Sequence, residues 1–509
     1  MNRNTQTLTT VVSSFMVSVI LAACAVGPNY NRPKDELAPF HNNPKTGAQR
    51  RESHEAPQAR RGTIGAGTHE GQASLDQWWS GFDDPMLTEV VQRALSQNLD
   101  LAASIARVQQ ARAVAAGAGA ALLPSADLNA SATYERQSTR GAFGSVASSV
   151  PGYSRGIHDY SVGPAASWEI DLFGGLRRAA SAARAEAEAA EADQAGTRVM
   201  VAADAADAYL QVRGYQSRLA VAQQQIADDD HLLHLVHERY DAGAATGREI
   251  AQAEALLKQA KASVPPLAIG LEQQLNRLDV LMGAQPGTYA QELSQAREIP
   301  SVPSVPTNNE PTEMLRRRPD IIAAERRLAA ANERIGAAIS DYYPKFSLSG
   351  ALGFETISNH LFSNQAFQPV GGGAIRWRLF DFGKIDAEVA QAKGSNAEAL
   401  AVYRQSVLKA AQDVEDSLTE LAQTQLRVNE VEDQVNSLVR ARDLSEQAYR
   451  AGSITLTDVL DADSQLLTAR DEADSSRADA ARAAVGVYRA LGGGWTPGPQ
   501  SRQLASRDR

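Results

Sequence analysis

The chain has little of what would place it in several common protein classes. It contains 1 cysteine and 6 methionines in 509 residues, and 50 basic against 60 acidic residues give a net charge of −10. With so few methionines, none of them paired, no soft-metal ladder for copper or silver is expected. Since the balance is acidic and no basic stripe occurs, nucleic acid is not expected as a partner. Aromatic residues make up only 6% while alanine is abundant, which suits long, closely packed helices rather than a thick globular core.

Motifs for catalysis are also lacking. No nucleophile–base constellation, phosphate loop or metal motif occurs at the polar positions, so we expect a protein that is not an enzyme. His231, His234 and His237 follow three aspartates, but only two of the three would share a helix face well. No metal site is therefore expected there.

The N-terminus carries a targeting signal. Residues 11–23 are apolar but too short to span a bilayer, and they end in Leu21-Ala22-Ala23-Cys24. This ending resembles the bacterial lipobox, so we predict a signal peptide over residues 1–23. Diacylglycerol and an N-acyl lipid on Cys24 are the only prosthetic groups expected. An ordinary secretory signal with a chance cysteine is the alternative. Ala25 after the cysteine favours sorting to the outer membrane, and no other run of 18 apolar residues predicts a transmembrane helix.

The chain is internally duplicated. Asp100, Arg107 and Pro124 recur 220 positions later as Asp320, Arg327 and Pro344, and Trp168, Phe173 and Gly174 recur 209 positions later as Trp377, Phe382 and Gly383. We therefore predict two copies, at residues 76–282 and 312–491, joined by a Pro-rich segment at 283–311. An extended segment at 24–75 and a tail at 492–509 would flank them.

Each copy contains two strand-like segments, predicted at about 124–136 and 158–171 and at about 344–356 and 369–381. Apolar and polar residues alternate along them, as in Ala126, Leu128 and Ala130 against Asp127 and Asn129. An ordinary half-buried sheet explains such alternation. The lipid signal, the aromatic strand ends and lengths near ten residues favour outer-membrane strands instead. Because four strands cannot close a barrel, three chains would have to share one of 12 strands.

Long helices follow the strands in each copy, predicted at about 175–240, 248–281, 383–450 and 456–491. Apolar residues recur every seven positions in both copies and in phase at the repeat offset, which predicts coiled-coil packing. These positions are Val212, Leu219, Ile226, Leu233 and Tyr240, then Val407, Val414, Leu421, Val428, Val435 and, after Arg442, Tyr449. A soluble spacer protein would also show such heptads.

Several motifs in a fixed order resemble those of the outer-membrane factors of bacterial tripartite efflux and secretion systems, the TolC/OprM-like family, and most closely its lipoprotein branch named after NodT. They are Cys24-Ala25-Val26-Gly27-Pro28, Trp78-Trp79, Arg317-Arg318-Pro319-Asp320, Asp171-Leu172-Phe173-Gly174 and Tyr449-x-x-Gly452 before Asp458-Val459-Leu460-Asp461. The resemblance implies an α+β membrane duct. It would be a homotrimer with a 12-stranded β-barrel in the outer membrane of a Gram-negative bacterium, continued by a 12-helix coiled-coil α-barrel in the periplasm. It also implies a periplasmic adaptor and an inner-membrane RND-type pump as partners, and contact with outer-membrane lipids.

The same resemblance assigns roles to the turns between the long helices. Asp458 and Asp461, with Tyr449 and Glu249, would form the periplasmic gate, and Gly243, Gly247, Gly452 and Ser453 would contact the adaptor. Two solvated acids near a helix N-terminus are the alternative for Asp458 and Asp461. Relatives bond the tyrosine to a carboxylate and place an arginine where this chain has Ile454. The latch here would then be weaker, or differently connected through Arg248 or Arg450.

Three functions are consistent with these observations. The favoured one is a passive duct that exports small amphipathic compounds, such as drugs or toxic organics, and is gated at the helix tips. A duct for type I protein secretion is the second. A lipid-anchored coiled-coil scaffold without a pore is the third, but it leaves the duplicated amphipathic strands unexplained.

Overall fold

The computed structural model of the protein describes residues 25–33, 75–305 and 315–496, apart from Asn359. The predicted signal peptide, Cys24, most of the extended segment before residue 75, part of the Pro-rich segment and most of the C-terminal tail lie outside these residues. Among the described residues, no helix combines the length and the apolar character needed to cross a membrane.

Each copy contains a helix, two strands and two long helices in that order, and the first copy also has a short helix between its strands. The helices of the described chain, after a short 3-10 turn at Leu75–Phe82, are α1 Pro85–Gln97, α2 Leu99–Ala120, α3 Ala142–Ala147, α4 Gly175–Asp241, α5 Gly247–Leu281, α6 Ala290–Leu293, α7 Pro319–Ser340, α8 Lys384–Arg450 and α9 Leu456–Ala490. The strands are β1 Ser125–Arg136, β2 Gly156–Ile170, β3 Lys345–Thr356 and β4 Phe367–Arg376.

The residues form two compact units. One contains the sheet and the adjoining helix segments, within Val108–Ala190 and Ala324–Tyr403, and the described part of Met1–Pro33. The other contains most of the long helices, within Glu191–Ala323 and Arg404–Arg509, and the described part of Lys34–Arg107.

The four strands form one antiparallel sheet in the order β1-β2-β3-β4. The fourth strand ends at Arg376, five residues before the predicted end at 381, so Trp377 and Leu379 are outside the sheet. Arg376 pairs with Lys345, where β3 begins, so the chain beyond it has no strand to pair with. The indole N–H of Trp377 instead donates to the carbonyl of Tyr342 at 2.9 Å.

Both strand-to-helix corners are built on an aspartate. Asp171 accepts hydrogen bonds from the backbone N–H groups of Leu176 and Arg177, and Asp381, which lies one position beyond the repeat offset from Asp171, accepts from those of Gly383 and Ile385. These carboxylates satisfy N–H groups that a helix start leaves without a partner. Asp171 of the Asp171-Leu172-Phe173-Gly174 motif therefore starts α4, and Asp381 of the Asp381-Phe382-Gly383 motif starts α8.

The chain before β1 forms two helices, α1 and α2, and not one continuous helix. Asn98 separates α1 from α2: its side-chain oxygen accepts from the N–H of Leu101 at 3.0 Å, and its amide donates to the carbonyl of Leu281 at 3.0 Å. Asparagine is a favourable N-cap residue, and here it starts a new helix.

Helix α5 contains Pro265 and Pro266 in its interior. Because proline has no N–H, neither residue can donate to the carbonyl four positions earlier in the helix. The positions 209 residues later in α9 hold Asp474 and Ser475, both of which can donate.

An arginine holds the N-terminal segment against the helices of the sheet-containing unit. Arg178 donates to the carbonyls of Val26 and Gly27, to the side chain of Asn29 at 2.9 Å, and to Glu333 at 3.0 Å. Gly27 has φ +93°, and a Cβ atom there would lie 2.5 Å from the Cα of Gly336. The segment that follows Cys24 therefore has a fixed course.

An aromatic cluster forms part of the core of the other unit. Trp78 stacks on Tyr488 with ring centroids 5.3 Å apart and meets Trp79 and Phe82 edge to face. All four residues are buried. The Trp78-Trp79 motif therefore packs the end of α9, whereas alanine is the most frequent residue in the rest of the buried core.

Candidate functional site

The two turns between the long helices are close copies of each other. Two residues after the end of α4, Gly243 has φ +70°, and the N–H of Ala244 donates back to the carbonyl of Arg239 at 2.8 Å. Two residues after the end of α8, Gly452 likewise has φ +73°, and the N–H of Ser453 donates to the carbonyl of Ala448 at 2.9 Å. Glycine suits this left-handed helix end.

The helices that leave the turns both start with a threonine and an acid three residues later. The carboxylate of Glu249 accepts from the backbone N–H of Thr246 at 2.6 Å, and that of Asp458 accepts from the N–H of Thr455 at 2.9 Å. Each carboxylate also accepts from the threonine hydroxyl. Glu249 and Asp458 therefore cap α5 and α9. The Thr-x-x-acid pattern in the sequence is typical of such a cap, but the gate assignment did not include this role.

Predicted adaptor contacts and gate acids lie on the outside of the turns. Gly243, Gly247, Gly452 and Ser453 are exposed, as are Asp458 and Asp461. The hydrogen bonds from Thr455 lower the pKa of Asp458, so this carboxylate stays ionised to lower pH than an ordinary aspartate. Asp458 and Asp461 are three residues apart near the start of α9 and present two charges to solvent on neighbouring positions. Their role in gating stays a prediction.

A small apolar core, which we call the tip core, joins the two helix hairpins α4–α5 and α8–α9. It consists of the buried residues Leu232, Val236, Ala253, Tyr449, Leu456 and Val459. Ile454, where the resemblance led us to expect an arginine, packs against it. This residue therefore adds apolar contact at a position where a charge was expected.

Tyr449 is 1% exposed, and its hydroxyl is buried without a partner at hydrogen-bond distance among the described residues. Burial raises the pKa of Tyr449. The nearby carboxylate of Glu249 raises it further, and the positive charge of Arg239 opposes both. The tyrosine and the carboxylate expected to bond across the tip are thus neighbours, but the carboxylate of Glu249 accepts its hydrogen bonds from Thr246.

At the turns, Arg239 connects the two hairpins through Tyr449, a role expected of Arg248 or Arg450. Its guanidinium lies over the ring of Tyr449, 4.2 Å from the centroid, and donates a hydrogen bond to the Tyr449 carbonyl. Arg450 instead pairs with Glu446 on its own helix. Sequence reasoning missed Arg239 because its repeat counterpart is Ala448, so neither the period nor the heptads single it out.

The sheet has one polar and one apolar face, and both are largely exposed. On the polar face, the hydroxyl of Ser131 lies 2.9 Å from that of Ser161, and the hydroxyl of Ser125 lies 3.1 Å from that of Ser167. Large side chains on the other face are exposed, among them Leu128, Tyr134, Leu348, Leu352, Phe367 and Ile375. An exposed apolar face of this extent needs a covering surface.

Comparison with known proteins gives a consistent picture. The family described as outer membrane efflux protein matches residues 90–284 and 311–493. The pyoverdine export outer membrane protein OpmQ of Pseudomonas aeruginosa is 33% identical over 86% of this chain and 90% of that protein. Nodulation protein T of Rhizobium leguminosarum bv. trifolii is 26% identical over 94% of this chain and 96% of its own length. Among solved structures, the outer-membrane channel OprN matches with a TM-score of 0.80 and 31% identity, over 93% of this chain and 100% of that one.

Proposed function

Because the chain belongs to the outer membrane efflux protein family, we propose that it is the outer-membrane duct of a tripartite efflux pump. Small amphipathic compounds would pass through it passively, driven by an inner-membrane pump. The observation that carries this proposal is the pairing, within one chain, of a two-faced sheet with two capped helix hairpins joined at a small core.

The sheet supports a trimer as the working form. Strands β1 and β4 each have one unpaired edge, and open edges are not tolerated in lipid. Three copies of the four-stranded sheet would close a barrel of 12 strands with its apolar face, including Leu128 and Ile375, toward lipid. The serine-lined face would then line the passage.

The tips support a gate between hairpins. Arg239 and the tip core join α4–α5 to α8–α9, so opening would require the second hairpin to move away from the first. In the trimer, six carboxylates from Asp458 and Asp461 would then ring the closed end and hold cations there.

Lipidation of Cys24, a periplasmic adaptor and an RND-type pump complete the proposal. The fixed course of residues 25–29 on Arg178 would place the lipid anchor beside the start of α4, close to the sheet. The exposed turn residues Gly243, Gly247, Gly452 and Ser453 would contact the adaptor.

The experiment compares single-channel currents of the purified wild-type protein and of the Asp458→Ala/Asp461→Ala variant in planar bilayers. We expect trimers that dissociate only on heating, a nearly closed wild type and a freely conducting variant. A monomer, or trimers of both proteins that pass no current, would return the interpretation to a scaffold without a pore.

A further inference from the structure

Two carboxylates are buried next to the tip core, at positions to which the proposed function gives no role. Asp229 lies on α4 and Asp463 on α9, and each is 1% exposed. Asp229 is three residues from Leu232 and Asp463 is four residues from Val459, both of which belong to the tip core. The carboxylates therefore lie where one hairpin contacts the other.

Around these carboxylates there are too few hydrogen-bond donors. The amide of Gln225 donates to Oδ1 of Asp229 at 2.7 Å, and Arg442 donates to Oδ1 of Asp463 at 3.4 Å. Oδ2 of Asp229, Oδ2 of Asp463 and Oε1 of Gln225 are buried and have no hydrogen-bond partner among the described residues. Burying three acceptor oxygens without a donor costs free energy, and a bound proton or cation would reduce that cost.

Charged groups on three helices act on the pair. Asp228 on α4 adds a negative charge and pairs with Arg470 of α9 at 3.9 Å, while Arg442 on α8 supplies the positive charge. Arg442 is shared, because Glu446 also pairs with it at 2.9 Å and Asp443 at 3.5 Å. One shared arginine therefore faces several carboxylates.

Burial is the main cause that raises the pKa of Asp229, to about 6, with Asp463 and Asp228 adding to it against Gln225 and Arg442. Burial likewise raises the pKa of Asp463, with Arg442 opposing. Two neighbouring buried carboxylates resist ionising together, as in other paired acids.

We propose that Asp229 and Asp463 share one proton in the closed tip and that loss of this proton drives the two hairpins apart. The sign follows from burial: a carboxyl whose pKa is raised in the packed state stabilises that state at low pH and loses this effect as pH rises through its pKa. Rising pH therefore favours the open tip. The effect on channel opening rests on the proposed function, whereas the presence of the shared proton does not.

The device occurs once in each subunit. The positions 209 residues from Asp229 and Asp463 hold Leu438 and Glu254. Leu438 cannot titrate and Glu254 is exposed, so the duplicate positions carry no buried pair. A trimer would hold three proton sites.

The channel experiment measures open probability in planar bilayers from about pH 5 to about pH 8 for wild type, Asp229→Asn and Asp463→Asn. We expect the wild type to open about tenfold or more over this range, with a midpoint near 6. Asp229→Asn, which imitates the protonated acid, is expected to stay closed throughout. The exposed gate acid Asp458, whose pKa is lowered, would titrate below this window and so is distinguishable. A pH profile that is the same in wild type and in both variants overturns the proposal.

The infrared experiment reports the proton directly and needs no current. Wild-type trimers should show a protonated-carboxyl stretch that is lost between about pH 5 and about pH 8 and is reduced in Asp229→Asn or Asp463→Asn. Absence of that change in the wild type overturns the proposal even if a variant fails to fold. If the Asp458→Ala/Asp461→Ala trimer never conducts while the band titrates, the duct fails and the proton site stands.

The remaining outcome concerns a metal. Added Mg²⁺ or Ca²⁺, or their removal with a chelator, should leave the midpoint near 6 unchanged in the wild type. If the midpoint shifts with the concentration of the divalent cation, the three unpartnered oxygens bind a metal ion and the shared proton is overturned.

Discussion

Replacing Arg239 by alanine should open the tip, whereas replacing Tyr449 by phenylalanine should not. Arg239 donates a charged hydrogen bond to the Tyr449 carbonyl and lies 4.2 Å from the Tyr449 ring centroid. The phenol hydroxyl, in contrast, is buried and has no partner at hydrogen-bond distance in the part of the chain that the structure describes. The substitution to phenylalanine keeps both contacts of the arginine and removes a polar atom that has none.

The magnitude follows from the two contacts. A hydrogen bond from a charged group contributes about 1.5–3 kcal/mol and a cation–π contact about 0.5–2 kcal/mol. Losing both should weaken the closed tip by at least about 2 kcal/mol per subunit, or about 30-fold in the opening equilibrium. Tyr449→Phe should change that equilibrium by less than about threefold, because no hydrogen bond is lost.

The assay is the open probability of single trimers in planar bilayers at fixed pH and salt. Arg248→Ala is the matched control, since Arg248 is an exposed arginine on the same turn, and its removal should leave the tip closed. If Tyr449→Phe opens the tip as far as Arg239→Ala does, a hydroxyl latch to Glu249 holds the tip and our reasoning is refuted.

Three further predictions follow from the remaining structure. Leu128→Arg should block assembly of heat-modifiable trimers in membranes, because a charge on a lipid face costs about 2–4 kcal/mol. The neighbouring variant Asn129→Arg, on the polar face, should still assemble. Equal assembly of both variants would contradict the assigned faces. Gly27→Ala should expose the N-terminal segment to protease, because the new Cβ atom would lie 2.5 Å from the Cα of Gly336 and the backbone has φ +93°; an unchanged cleavage pattern would argue against that contact. Thr246→Val should destabilise the protein by about 1 kcal/mol in thermal unfolding through loss of the cap of α5, and no change would mean that Glu249 caps without it.

Local sequence patterns that occur twice predicted three features: the duplication, the strand pairs and the ends of the long helices. The strand alternation and the Gly243 and Gly452 turns recur at a fixed offset, and the motifs around them identified the family that the comparisons confirm. The end of β4 could not be predicted in the same way. It depends on where β3 starts, at Lys345, and not on the residues after Arg376.

The contacts that join the hairpins were beyond sequence reasoning for a different reason. Asp229 and Asp463 are far apart in the chain and sit in charge-rich helices, where an acid usually faces solvent. Burial follows from which turns of α4 and α9 meet, and a heptad gives the face of a helix but not its register against a partner. The lipid on Cys24 stays a prediction.

The two prolines in α5 make the duplicated hairpins mechanically unequal. Without the N–H groups of Pro265 and Pro266, two links of the helix ladder are missing halfway along α5, and bending there meets less resistance. In α9 the corresponding Asp474 keeps its N–H, and its carboxylate accepts from Ser217 on α4 at 2.5 Å. A force applied at the two turns would therefore bend the first hairpin at its prolines. The second hairpin would instead move as a rigid unit and transmit the force along its length.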